Sequence, residues 1–156
     1  MRTRIQFHVA LLMVLALSAG AADDKAGGAD ADKAALQDTW QTVASEVNGE
    51  KEPEDRSKQY QVVLEGDKMT ITREGQTVMK GSYKLDAAQT PRRLDLKIEE
   101  NPGDADAVGK TLEGIYEVKG EDLKWCFAMP DRERPKAFKT EADSGLVFAT
   151  LKKEKK

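Results

Sequence analysis

The sequence predicts an all-β fold, an antiparallel up-and-down barrel of about eight strands. Three observations lead to this prediction. Apolar residues alternate with polar ones at a period of two through most of the chain, which is typical of half-buried strands. Tight-turn signals separate these runs. No stretch after Ser57 has a convincing apolar period of 3.6, which argues against a layout of strands alternating with helices.

The strands follow from the alternation itself. Leu94, Leu96 and Ile98 alternate with charged neighbours and form the clearest run. The same pattern predicts seven further strands near residues 39–47, 60–64, 69–71, 79–85, 112–118, 123–127 and 146–151. Residues 52–57, opened by Pro53, could form one helical turn between the first two strands.

The turns favour consecutive antiparallel strands. Gly66-Asp67, Glu74-Gly75 and Gly120-Glu121 each lie between two apolar runs at hairpin-like spacing. An open eight-stranded meander would leave two unpaired edges, and closure into a barrel removes them. A β-sandwich is the alternative.

The first 21 residues have the pattern of a secretory signal peptide. Arg2 and Arg4 precede an apolar run over 7–17, and small residues at Ala19 and Ala21 predict cleavage near Ala21-Ala22. Because the run is shorter than the ~20 residues that span a bilayer, no stable membrane anchor is expected. We therefore expect a periplasmic or extracellular protein, with a flexible linker over 22–35, a barrel domain over 36–152 and a basic tail over 153–156. The end of the linker, where Ala34, Ala35 and Leu36 approach the domain, could be helical.

Composition excludes several function classes. The 156-residue chain has 28 acidic and 25 basic residues, so nucleic acid is not an expected partner. The only histidine, His8, lies in the leader, which excludes Ser-His-Asp catalysis, the usual zinc sites and histidine-bound haem in the mature chain. We expect no cofactor, no metal and no enzymatic activity. A carboxylate-dependent hydrolase is a distant third hypothesis, and a calcium site at Asn101, Asp104 and Asp106 is a weak one.

Five aromatic residues are predicted to face the barrel interior and are the candidate ligand-binding residues: Tyr60, Tyr83, Tyr116, Trp125 and Phe127. Gly81 and Gly114 share these inward faces. Two functions are compatible with the pattern. The aromatic side chains could line a cavity for a small, partly apolar ligand, or they could fill the interior of a structural or protein-interaction domain.

Cys126 is the only cysteine and lies out of phase with Leu123, Trp125 and Phe127. We expect a small buried hydrophobe, covered by the long segment 129–144, in a protein that is a monomer. The loop 129–143 carries Arg132, Arg134, Lys136 and Lys139, diluted by acidic residues. It is interpreted as solvated, with an anion grip as the alternative.

Several segments together resemble an uncharacterised family of secreted domains numerous in planctomycete bacteria. They include Leu36-Gln37-Asp38-Thr39-Trp40, Gly81-Ser82-Tyr83-Lys84-Leu85-Asp86 and Leu123-Lys124-Trp125-Cys126-Phe127-Ala128. The resemblance covers about residues 36–152 and implies a lipocalin-like barrel, with no established activity and no catalytic residues to carry over. One departure is that such domains usually have Gly where this chain has Asp38.

Overall fold

The computed structural model describes residues 24–156, so the predicted leader and its cleavage site lie outside the described residues. Eight strands form the barrel: β1 (Asp38–Val47), β3 (Tyr60–Glu65), β4 (Lys68–Arg73), β5 (Gln76–Asp86), β6 (Arg92–Glu100), β7 (Thr111–Lys119), β8 (Asp122–Ala128) and β9 (Leu146–Lys153). A short extra strand, β2 (Glu50–Lys51), and a helical turn, α2 (Glu54–Ser57), follow β1.

The barrel is closed and antiparallel. Each barrel strand pairs with the next along the chain, and β1 also pairs with β9 from Trp40↔Lys153 to Val47↔Val147. The sheet therefore has no long free edge, as the closure argument expects. This confirms the predicted all-β, lipocalin-like barrel and its eight strands, while β2 was not predicted.

The inward side chains form one continuous hydrophobic core. The largest fully buried members, Trp40 and Tyr116, are 0% and 1% exposed, and Leu94, Leu96 and Ile98 of β6 lie among them. Alternation places these β6 residues on one face, because successive strand side chains point to opposite faces.

A helix replaces most of the predicted flexible linker. Residues Asp24–Leu36 form α1, which covers the end of the barrel where β1 begins. Asp32 and Leu36 are four residues apart and lie on the same helix face, and both are buried. The linker prediction is therefore corrected: alanine-rich sequence permits a helix, and two buried side chains fix it to the barrel.

Asp38 has a backbone conformation that is unusual for a residue with a side chain. Asp38 has a φ of 155°, a region that residues with a side chain rarely adopt. Its carboxylate accepts a hydrogen bond from the Thr39 backbone N–H at 3.0 Å and lies 3.4 Å from the Lys156 ammonium. These two interactions hold the aspartate in a backbone position that suits glycine better.

The outer surface of the barrel has two contrasting walls. The ion-paired wall is the outer face of β4, β5 and β6, where Lys68 pairs with Glu99 at 2.8 Å and Lys80 with Glu100 at 3.1 Å. The strapped wall is the outer face of β7, β8 and β9. The segment 129–145, called the strap from here on, crosses this wall between β8 and β9.

Candidate functional site

The predicted ligand-binding aromatic residues are brought together with one exception. Tyr83, Tyr116, Trp125 and Phe127 belong to the buried core cluster. Tyr60 is only half-buried and lies outside that cluster, with the Arg73 guanidinium 5.7 Å from its ring centre. Tyr60 begins β3, at the end of the barrel opposite α1, where the inward face is no longer enclosed.

The four clustered aromatic side chains fill space in the barrel. The Trp125 and Phe127 rings meet edge to face with their centres 5.5 Å apart. A Cβ placed on Gly114 would lie 2.6 Å from the Phe127 ring, so that ring already occupies the volume above the glycine. The large clefts found among residues 24–156, of about 480 and 490 Å³, open to solvent and are lined mainly by loop and outer-wall residues, although Tyr116 and Val118 also line the second.

Both inward tyrosines use their hydroxyls to hold the α1 end of the barrel. Tyr83 donates to the Gly66 carbonyl at 3.0 Å and accepts from the Gln37 amide at 3.0 Å. Tyr116 donates to the Asp32 carboxylate at 2.6 Å. Burial raises the pKa of both tyrosines, and for Tyr116 the adjacent Asp32 carboxylate adds to the rise.

A buried carboxylate on α1 completes this network. Asp32 is 7% exposed and accepts from Arg92 Nη1, which is 2.6 Å from each carboxylate oxygen. Charge-assisted hydrogen bonds of this length are among the strong ones. The sequence interpretation missed Asp32 and Arg92. The spacing of Asp32 and Leu36 was the available signal, but it required a helix where a linker was predicted.

The strap is anchored to the barrel by a few side chains, although most of its residues are exposed. Arg134 donates to Asp95, to Glu113 and to the Gly114 carbonyl, and its side chain is 18% exposed. The Phe138 ring packs near Phe148 and lies 4.6 Å from the Lys124 ammonium. The solvated-loop interpretation therefore holds for most of the segment, including Arg132, Lys136 and Lys139, which are exposed, whereas Arg134, Phe138 and Thr140 attach it to the barrel.

The far end of the strap is tied to the β1–β2 hairpin. Glu46 accepts hydrogen bonds from the Thr140 hydroxyl and, at 3.1 Å, from the Thr140 backbone N–H. The Thr140 hydroxyl in turn accepts from Gly49 N–H at 2.7 Å. These two bonds from Thr140 lower the pKa of Glu46.

Cys126 lies beneath the strap, as the sequence predicted. It is 0% exposed, and its Sγ is 3.7 Å from the Lys139 carbonyl oxygen. Burial raises the pKa of the Cys126 thiol to about 11. A thiol with this pKa is almost entirely protonated near neutral pH and is a poor nucleophile.

The weak calcium hypothesis gains nothing from the loop geometry. Asn101 accepts from the backbone N–H of Gly103 and Asp104, and Asp104 accepts from that of Asp106. These side chains cap a turn and a short 3₁₀ helix, Ala105–Ala107. Within residues 24–156, no group of three or more acidic, cysteine or histidine side chains is arranged to hold a metal.

The strap bounds an open cleft of about 480 Å³, called the strap cleft. Arg132 and Lys136 line it, and neither has a carboxylate within ion-pair distance in the part of the chain that the structure describes. Arg134 and Lys139 also line it, but both are paired with acidic side chains. Asp131 and Glu133 also line it without an ion-pair partner among the described residues, so the cleft presents unpaired charges of both signs on a segment that is fixed to the barrel.

No protein-family model matches the chain, and no curated protein matches it at a significant level. The resemblance to the planctomycete domain family therefore stays a prediction. No helix in the described part of the chain has the length and apolar character needed to span a membrane.

Proposed function

We propose that this protein is an exported, non-enzymatic interaction module, built on a packed barrel and acting through the strap. The observation that carries the proposal is the filled interior. Trp40, Tyr116, Trp125 and Phe127 are each less than a tenth exposed, and the Phe127 ring occupies the space beside Gly114. Interiors packed in this way leave no room for a ligand without displacing side chains.

The hypothesis of a small apolar ligand inside the barrel stays a prediction. The packing of the barrel interior does not favour it. Two of its residues, Tyr83 and Tyr116, have hydroxyls committed to Gly66 and Asp32. A ligand using these groups would have to break hydrogen bonds that hold the α1 end closed. Loss of a partner from a buried polar group is costly, so such an exchange is unfavourable.

The strap is the surface that best fits an interaction role. Long segments without regular structure inside a compact domain are uncommon and are usually functional. The strap is also held in place by Arg134 and Thr140, so its exposed side chains are presented by a fixed scaffold. Met129, at its start, is 45% exposed, and Arg132 and Lys136 are exposed cations. Asp131 and Glu133 are exposed beside them, so these features suit a protein partner whose contact surface carries charges of both signs.

Site-specific photo-crosslinking in the protein's own host tests this proposal. A photoreactive residue at Lys136 samples the strap cleft, and the same residue at Lys97 samples the ion-paired wall as a matched control. We expect a discrete protein adduct at Lys136 that the Arg132→Glu substitution abolishes, and none at Lys97. Adducts of equal yield at both positions, or at neither, would contradict an interaction role for the strap.

A further inference from the structure

A second cleft lies on the opposite side of the strap, near the α1 end of the barrel. It has a volume of about 490 Å³ and is bounded by the loop 87–92, by the end of β7 and by Phe138 of the strap. Its size is within the range of small-molecule sites, about 300–1,000 Å³. We call it the Arg92 cleft. Its apolar wall is formed by five residues: Ala87, Ala88, Pro91, Val118 and Phe138.

Arg92 supplies a fixed positive charge at this cleft. Its Nη1 is held by both oxygens of Asp32, while its side chain is still 45% exposed. In the described residues, its Nε and Nη2 have no protein hydrogen-bond partner. A guanidinium that is anchored on one side and free on the other is ready to donate to a second carboxylate.

The other two charges that line the cleft are paired with each other. Lys119 lines the cleft with a side chain that is 77% exposed. Glu117 is the acidic residue in the lining, and it is already paired with Lys124 at 3.0 Å and with Lys119 at 3.3 Å. An anion at Arg92 would therefore meet an apolar wall and a neutralised carboxylate rather than an unpaired negative charge.

We propose that the Arg92 cleft binds a small organic carboxylate with an apolar body. The carboxylate takes the free donors of Arg92, and the apolar body packs against Pro91, Val118 and Phe138. This site is separate from the strap cleft and opens to solvent, although two of its lining residues, Tyr116 and Val118, also pack in or against the core, and it goes beyond the proposed protein-interaction role. Its existence does not depend on a protein partner.

Asp32 makes the proposal specific, because it competes with the ligand for the same guanidinium. An asparagine at this position can still accept from Tyr116 and Arg92 through its amide oxygen, but it carries no charge. Asp32→Asn should therefore leave α1 docked and strengthen carboxylate binding by roughly two- to fivefold, the effect of one partly screened competing charge.

The test is a titration of the folded ¹⁵N-labelled protein with 2-naphthoate, followed by amide chemical shifts. The neutral 2-naphthalenemethanol is the matched probe. We expect 2-naphthoate to shift the amide signals of residues 87–92 and 117–119. Its affinity should be about tenfold above that of the alcohol, because one charge-assisted hydrogen bond contributes about that much selectivity. Arg92→Gln should remove this selectivity, and Lys84→Gln should leave it intact.

The variants separate this proposal from simple apolar binding. Phe138→Ala should weaken the binding of both probes equally, because it removes part of the apolar wall and leaves the charge of Arg92 unchanged. If Arg92→Gln proves unfolded, Asp32→Asn still decides the matter, since the proposal requires tighter naphthoate binding with no change for the alcohol. Equal affinity for the two probes, shifts centred elsewhere, or weaker naphthoate binding in Asp32→Asn would each overturn it.

Discussion

The strapped wall and the ion-paired wall are both antiparallel and belong to one barrel, but their outward side chains differ in exposure to water. On the ion-paired wall, outward residues such as Lys68 and Glu99 are exposed and pair with each other. On the strapped wall, the outward residues Ile115 and Cys126 lie opposite each other in register and are 1% and 0% exposed. The strap gives the second wall an outer layer of packing.

The difference shows that strand alternation defines a side chain's direction but not its environment. Alternation places Ile115 and Lys97 on the same outer surface, and only the path of the strap separates a buried position from an exposed one. A barrel can therefore have a second, smaller core outside its sheet. Four predictions test this contrast, in order of decreasing effect.

The largest effect is expected from truncating the outer core. Ile115→Ala should lower the free energy of unfolding by about 2–5 kcal/mol, because it removes buried methyl groups and leaves a cavity under the strap. Lys97→Ala, at an exposed position of the ion-paired wall, should cause no measurable change. Urea unfolding measures both, and equal effects on the two walls would refute the contrast.

Loosening the strap should expose the thiol beneath it. Phe138→Ala removes the ring that packs near Phe148 and Lys124, so we expect Cys126 to react with a thiol reagent about tenfold faster at pH 8, equivalent to ~1.4 kcal/mol of lost strap contacts. Thr70→Ala on the ion-paired wall is the control and should not change the rate. Fast stoichiometric labelling of the unmodified protein would mean that the strap does not cover Cys126.

The tie between the strap and β1 should depend on pH. Because hydrogen bonds from Thr140 lower the pKa of Glu46 from its ordinary 4.5, the ionised form stabilises the folded state, and this contribution is lost as the pH falls through the folded-state pKa. The urea midpoint of Glu46→Gln should lie below that of the unmodified protein at pH 7. This gap should close as the pH is lowered below 4.5. If the difference in urea midpoint widened at low pH, the ionised form of Glu46 would not be the stabilising one, and this explanation would be contradicted.

The smallest effect is expected from the matching carboxylate on the ion-paired wall. The Lys68 ammonium lowers the pKa of Glu99, but both side chains are about half exposed, and salt screens such pairs. Glu99→Gln should therefore have a smaller effect than Glu46→Gln, and 1 M NaCl should abolish it. The Glu46 effect should survive the same salt, because its donors are uncharged groups of Thr140.

The sequence predicted the parts of the fold that depend on local pattern. Eight strands, three tight turns and the helical turn at Glu54–Ser57 all follow from period-two alternation and turn residues. The burial of Cys126 under the following segment was also expected, because an unpaired cysteine behaves as a small hydrophobe. The strands and turns are determined by neighbours in the chain, whereas the burial of Cys126 also needs the strap to lie over it.

The parts that sequence did not predict depend on contacts between distant residues. The docking of α1 requires Asp32 to meet Arg92 and Tyr116, 60 and 84 residues away along the chain. The strap likewise depends on Arg134 reaching Asp95. Tyr60 shares an alternating run with buried residues, yet it lies at the barrel end where that face opens. No local pattern distinguishes these positions.

The most direct test of the packed interior is ¹²⁹Xe NMR of the folded protein, because apolar cavities of about 150 Å³ bind xenon. Leu96→Ala, which opens such a space in the core, serves as the positive control. We expect the unmodified protein to give only the weak, non-saturating shift of surface contacts, and the Leu96→Ala variant to give a saturable one. A saturable xenon shift in the unmodified protein would show that the barrel contains a cavity. The hypothesis of a small ligand inside the barrel would then be favoured over the packed interior.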